Sequence, residues 1–160
     1  MISMRLSEAA DLLGGRLIGE DRQFEGVSTD TRSLHPGELF FALKGPRFDA
    51  HDLLDDALKK SAIGAVSSKL SDSRLPIIKV LDSRAGLVDL AQNWRGRFEL
   101  PVVGITGSAG KTSVKEMLGS ILEQNKKPLV TLGNLNNDIG VPLTLFRLDS
   151  SHNYAVIEMG

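Results

Sequence analysis

An α/β fold in two units is what this sequence predicts: a small N-terminal α/β unit, then the start of a parallel sheet built around a glycine-rich turn. Three observations lead there. Short apolar runs alternate with amphipathic stretches along all 160 residues, the pattern of strands joined through helices. The segment Pro101-Val-Val-Gly-Ile-Thr-Gly-Ser-Ala-Gly-Lys-Thr-Ser113 runs from a β-branched strand through a glycine turn into a helix start. A final apolar strand, Tyr154-Ala-Val-Ile-Glu158, ends in a carboxylate.

Composition narrows the function. The 19 basic and 20 acidic side chains nearly cancel, so bulk charge makes no case for a nucleic acid or an anionic membrane. With no cysteine, disulfides, thiolate metal sites and thiol nucleophiles are excluded together, which fits a reducing cytoplasm. The first residues, Met1-Ile-Ser-Met-Arg-Leu6, lack the apolar core of a signal peptide, and no run reaches membrane-spanning length. A soluble cytoplasmic protein is expected.

In chain order, Ser7 is expected to cap a short helix over Leu6, Ala9, Ala10, Leu12 and Leu13, ended by Gly14-Gly15. Leu17-Ile18 and Phe24–Val27 read as strands around the polar turn at 19–22. The polar run Ser28-Thr-Asp-Thr-Arg-Ser33 follows a strand. It reads either as a turn in which Asp30 bonds nearby backbone, or as a strand-end loop offering hydroxyls and Arg32 to a polar ligand. Glu38–Leu43 is the next strand, and Lys44-Gly-Pro-Arg-Phe-Asp-Ala-His-Asp52 follows it. Lys44, Arg47 and Phe48 suit a nucleotide, with cations for a diphosphate and a ring for a base. The alternative is an exposed basic turn with Phe48 folded into the core. His51 reads as an orienting or helix-start residue, with no acidic partner predictable.

A helix is expected over 52–61 with Leu53, Leu54, Ala57 and Leu58 on one face, then strands at 64–67 and 75–81. Asp82 should cap a long helix over 83–97, with Trp94 as a packing residue. A domain boundary is expected near 80–84, giving domains 1–82 and 83–160.

The glycine turn carries the chemistry. Val102, Val103 and Ile105 have the pattern of a strand covered on both faces. Gly107, Ser108, Ala109 and Gly110 let the backbone curl and gather N–H groups at the N-terminus of the helix that Ser113 continues, where an anion is favoured. Lys111 adds a positive charge, and the Thr112 hydroxyl can ligate magnesium. This is a site for the phosphates of a nucleoside triphosphate. The usual G-x-x-x-x-G-K-[ST] spacing is not met: Ile105 stands where the outer glycine belongs, and Gly104 is one residue early.

After the strand at 127–131 comes Leu132-Gly-Asn-Leu-Asn-Asn-Asp138. Asn134 and Asn137 are then placed beyond a strand end, where ligands of open parallel sheets gather; plain turn chemistry is the alternative. A helix is expected over 141–148. Glu158, on its buried strand, reads as the carboxylate that completes magnesium coordination beside the phosphate loop. The competing reading is a core glutamate. Such a domain requires more strands, so the front portion of a longer protein is expected.

Together these stretches resemble the Mur ligase family. The motifs are V-S-T-D-T-R (27–32), P-G-E-L-F-F-A-L-K-G-x-R-F-D-A-H-D (36–52), G-I-T-G-S-A-G-K-T-S-V-K-E (104–116), G-N-L-N-N-D-I-G-V-P (133–142) and A-V-I-E-M-G (155–160). The family's T-G-x-x-G-K-[TS] loop accounts for the missing outer glycine. The resemblance implies that residues 1–82 bind the uridine diphosphate end of a sugar-peptide, with Thr31, Arg47 and Phe48 at substrate-loop positions. It implies that 83–160 begin an ATPase domain of the phosphate-loop type. By the same resemblance the cofactors are ATP and Mg2+, and the substrates are UDP-N-acetylmuramoyl-tripeptide and D-alanyl-D-alanine, joined through an acyl phosphate. Lys111, Thr112 and Glu158 would be the catalytic set, with Thr112 and Glu158 on the metal. Asn134 and Asn137 would lie near the substrate carboxylate. By the same resemblance the family's carbamylated lysine, metal-binding histidine, adenine contacts and C-terminal domain are expected beyond Gly160, so ligation by these residues alone is not expected. Two other readings are a non-catalytic UDP-sugar module with an idle phosphate loop, and a phosphate-loop kinase or GTPase. The latter lacks a guanine- or acceptor-recognition motif.

Overall fold

The computed structural model describes residues 1–160. The chain divides into two compact units, Met1–Leu90 and Ala91–Gly160, and a single helix runs through the division.

The first unit opens with β1 (Ser3–Arg5) leading directly into α1 (Leu6–Leu12). Ser7 does not cap α1; the Asp21 carboxylate does that work, accepting from the Ser7 N–H at 3.0 Å and the Ser7 hydroxyl at 2.9 Å. A carboxylate bonds an orphan helix N–H more strongly than a hydroxyl. Gly14, at φ 57°, turns the chain out of α1, its N–H bonding the Asp11 carbonyl.

Strands β2 (Arg16–Ile18), β3 (Gln23–Glu25) and β4 (Val27–Ser28) follow. The single strand expected over 24–27 is two, because Gly26, at φ 89°, breaks it. β3 pairs with β1, while β4 joins a five-stranded sheet with β2, β5 (Leu39–Phe41), β6 (Gly64–Ser67) and β7 (Ile77–Lys79). Its order is β2-β7-β6-β5-β4; β4 to β7 run parallel and β2 is antiparallel. The loops after β4, β5 and β6 therefore leave one end of the sheet. All three residues of β5 are buried, as a central parallel strand requires. Phe40 packs with Ala42, Leu54, Ala57, Ala65 and Ile77.

The helix expected over 52–61 is a 3₁₀ turn, Ala50–Leu53, followed by α2 (Leu54–Lys59). Leu54 and Ala57 are buried, but Leu58, in the last turn of α2, is exposed. α3 (Ser83–Arg95) begins at Asp82, whose carboxylate accepts from the N–H groups of Arg84 at 2.7 Å and Ala85 at 3.1 Å.

The second unit holds a three-stranded parallel sheet of β8 (Val102–Ile105), β9 (Pro128–Val130) and β10 (Tyr154–Glu158), in the order β8-β10-β9. Helices α4 (Lys111–Glu123) and α5 (Gly140–Leu145) make the crossovers. Val102 and Val103 are 39% and 38% exposed, so β8 is not covered on both faces as its residues predict. It lies at the sheet edge, with a strand on one side only. Trp94 packs as expected: it is buried, edge-on to Phe98, with its indole N–H on the Leu148 carbonyl at 3.1 Å.

Candidate functional site

In the second unit, the C-terminal ends of three parallel strands bring two loops and Glu158 to one end of the sheet. β8 runs into 106–110, β9 into 131–139, and β10 ends at Glu158. That end is where an open parallel sheet takes ligands.

The loop after β8 needs its glycines. Gly107 has φ 147° and Gly110 φ 77°, conformations that a side chain would strain. Gly110 caps α4 from the left-handed region, and Ser108, Ala109 and Ser113 lie exposed around the turn. The first N–H groups of α4 have no partner within the helix, and such a helix N-terminus favours an anion. The Lys111 ammonium reaches back across the turn to the Gly107 carbonyl at 2.5 Å.

Glu158 is almost fully buried. Its carboxylate accepts from the Asn136 amide at 2.9 Å and from the Thr112 hydroxyl at 3.2 Å, and lies 3.5 Å from the Lys115 ammonium. The Asn136 hydrogen bond, then the Thr112 hydroxyl and the Lys115 charge, outweigh burial and hold it below the ordinary glutamate value. The Thr131 hydroxyl fixes the strand end, accepting from the Glu158 N–H at 2.9 Å.

The pair Thr112–Glu158 fits a magnesium ion. Both donors are hard oxygens, and their 3.2 Å separation is near the distance of about 3 Å between neighbouring ligands of an octahedral ion with bonds of about 2.1 Å. The core reading of Glu158 also has support in Lys115 and Asn136, so the carboxylate is partnered rather than isolated.

Asn134 and Asn137 do not reach Glu158. Asn134 is exposed, and the Asn137 side chain accepts from the N–H groups of Ile139 at 3.2 Å and Gly140 at 2.7 Å, turning the chain into α5. Asn136 is the asparagine that touches the acid. Lys115 and Thr131 were likewise not singled out by sequence reasoning.

In the first unit, Thr31 and Arg32 follow β4, while Lys44, Arg47 and Phe48 follow β5, its parallel neighbour. Arg32 is engaged by Asp30, with its N–H at 2.9 Å and its guanidinium at 2.6 Å. The turn reading of that run is therefore realised, with Arg32 remaining exposed. Phe48 is 60% exposed rather than folded into the core, and Lys44 and Arg47 are exposed beside it.

The base of this loop is tied down. The Gly45 N–H bonds the Phe48 carbonyl at 2.9 Å. His51, expected to lack an acidic partner, has one: Asp49, two residues upstream, pairs with its Nδ1. Nε2 accepts from the Ser68 N–H at 3.2 Å and lies 2.9 Å from the Ser68 hydroxyl, so the ring proton sits on Nδ1, facing Asp49. Lys69 completes the tie at 2.6 Å from Asp49. Lys69, then His51, hold the Asp49 carboxyl well below the usual range. His51 orients the loop, as expected.

With this geometry established, comparison with known proteins is direct. Residues 105–160 match the Mur ligase middle domain. That match falls on the stretch holding three of the motifs that resemble the family, 104–116, 133–142 and 155–160. Over its full length it is 51% identical to UDP-N-acetylmuramoyl-tripeptide–D-alanyl-D-alanine ligase of Escherichia coli K12, of which it spans 35%. It is 35% identical to the ligase of the same name from Bacillus subtilis, covering 36% of that protein. Among solved structures, MurF from Acinetobacter baumannii superposes with a TM-score of 0.93 and 36% identity, over all of this chain and 36% of that one. MurF from Thermotoga maritima, solved in complex with ADP, gives 0.74 and 34% identity over 84% of this chain and 31% of its own. The chain thus spans about a third of the length of the relatives it matches. None of its helices is long and apolar enough to cross a membrane.

Proposed function

We propose that this chain forms the nucleotide-binding and uridine-diphosphate-binding parts of an ATP-dependent Mur ligase. The reaction is the joining of D-alanyl-D-alanine to UDP-N-acetylmuramoyl-tripeptide in the cytoplasmic assembly of peptidoglycan precursors. The observation that carries this reading is the Thr112 hydroxyl 3.2 Å from the buried Glu158 carboxylate, at the mouth of a left-handed glycine loop. The similarity of this whole chain to part of ligases of that name, and the ADP complex of the Thermotoga maritima relative, support it.

The chemistry follows from charge. A carboxylate oxygen of the peptide attacks the γ-phosphorus of ATP, the bond to the ADP oxygen breaks, and an acyl phosphate forms. The D-alanyl-D-alanine amine then attacks the acyl carbon, loses a proton and displaces phosphate. Negative charge builds on the transferring phosphoryl oxygens in the first step. The N–H groups at 107–113 and the Lys111 ammonium are fixed donors for that charge. Lys111 exchanges its Gly107 carbonyl partner for a phosphate oxygen. Thr112 and Glu158 would hold magnesium, which would supply charge neutralisation at the phosphates. Asn136 keeps the Glu158 carboxylate aimed at that position.

Residues 1–82 are proposed to bind the uridine diphosphate end. Phe48 offers a ring face to the base, and Lys44 and Arg47 offer charge to the diphosphate, with Thr31 and Arg32 on the neighbouring loop. Asn134, exposed at its strand end, is proposed to meet the peptide end of the substrate.

The test is calorimetric titration of the chain with magnesium-ATP and, separately, with UDP-N-acetylmuramoyl-tripeptide. Each ligand is expected to bind one site. Binding of the sugar-peptide with no binding of magnesium-ATP would overturn the ligase reading in favour of a uridine-nucleotide module with an idle loop.

A further inference from the structure

Lys115 is the least expected residue of the second unit. Its side chain is fully buried on α4, one turn beyond Thr112. A buried ammonium is costly unless every proton is engaged, and here three oxygens surround it. They are the Gly133 carbonyl at 3.0 Å, a Glu116 carboxylate oxygen at 3.1 Å and a Glu158 carboxylate oxygen at 3.5 Å. Glu116 is 66% exposed and Glu158 only 2%. Water screens the first pair, while the second lies out of solvent, where charges act strongly on one another. Lys111 arches away toward Gly107, so Lys115 supplies the positive charge against the buried carboxylate.

We infer that Lys115 is a built-in counter-cation that makes metal loading at Glu158 depend on the nucleotide. The inference rests on Glu158 being the metal-side carboxylate. With Lys115 in place, the buried pair is neutral, and a free divalent cation meeting it gains little attraction while being repelled by the ammonium. A nucleoside triphosphate brings several negative charges into the adjacent loop and reverses that balance, so the ion arrives with the phosphates. Lys115 is thus a positioning residue: it holds the Glu158 carboxylate at 3.5 Å and ties the Gly133 turn to α4 before any ligand enters.

The experiment uses the whole chain and magnesium chloride alone, without nucleotide. Wild type, Lys115→Met, Glu158→Gln and the double variant are melted with and without the salt, with calcium as a second probe ion. Wild type is expected to show no shift. Lys115→Met, which keeps the volume and uncovers the carboxylate, is expected to melt lower and to recover roughly 4 °C or more in magnesium. The double variant is expected to melt above Lys115→Met and to ignore the ion. If Lys115→Met folds only in magnesium, the inference is equally supported. It is overturned if wild type responds to magnesium alone as strongly as Lys115→Met, if neither responds, or if the two substitutions destabilise additively, as a packing role alone would give. These melts contain no nucleotide, so failure of the ligase reading in the ATP titration is separately visible.

Discussion

Replacing Gly140 by alanine tests whether the turn at 133–139 is a rigid support for Glu158. A Cβ on Gly140 would lie 2.4 Å from the Leu135 carbonyl carbon, 2.5 Å from its Cα and 2.7 Å from its oxygen. Ordinary contacts between such atoms are about 3.5–4.0 Å, and backbone cannot swing aside as a side-chain tip does. The turn must therefore move by about 1 Å, and overpacking of this kind costs about 1–3 kcal/mol. Alanine returns up to about 1 kcal/mol of helix propensity in α5. The net loss is about 1–2 kcal/mol, which lowers the melting temperature of a unit this small by roughly 4–8 °C per kcal/mol. Asn136 directly follows Leu135 and donates to Glu158 at 2.9 Å, so the same shift should weaken magnesium-dependent nucleotide binding. Circular-dichroism melts and calorimetry with magnesium-ATP read the two effects. A variant melting within about 1 °C of wild type, with unchanged affinity, would refute the reasoning.

Gly107→Ala should separate binding from stability. Its Cβ meets nothing closer than 3.9 Å, but φ 147° strains any side chain, by about 1–3 kcal/mol. An exposed loop relaxes that strain by changing shape, so magnesium-ATP affinity should fall about tenfold or more while the melting temperature holds. Trp94→Phe keeps a buried ring and removes the donor to Leu148, at a cost of about 1–3 kcal/mol for the orphaned carbonyl, read by thermal melts. Acid should destabilise the second unit through Glu158. Its folded pKa lies below 4.5, so the unfolded chain takes the proton first. The contribution is complete above that value and is lost as pH falls below it. Urea midpoints across acidic pH should fall less steeply in Glu158→Gln than in wild type.

Much of the site was legible because its signals are local. The glycine loop, Lys111 and Thr112 lie within a few residues, and Asp82 caps a helix that starts at the next residue. Glu158 stood out because an acid at the end of an apolar strand demands a reason. What escaped is long-range. Asp21 caps α1 from 14 residues away, a distance that no capping pattern spans. Lys115 reads in sequence as a solvated helical lysine, and only the seating of α4 on β10 puts it against Glu158. Three asparagines share one turn, and the path of the backbone alone decides that Asn136 faces the acid while Asn137 starts α5. The exposure of β8 was also hidden, since a β-branched run reads alike at the edge and in the centre of a sheet.

The account stands or falls on the loop from Gly107 to Thr112 being a cradle for a magnesium-bound nucleoside triphosphate. Calorimetric titration of magnesium-ATP into wild type and Lys111→Ala tests this directly. Wild type should bind at one site. Lys111→Ala, which loses a charge-assisted contact of about 1.5–3 kcal/mol, should bind at least about tenfold more weakly with an unchanged melting temperature. Equal affinity in the two proteins would contradict the account.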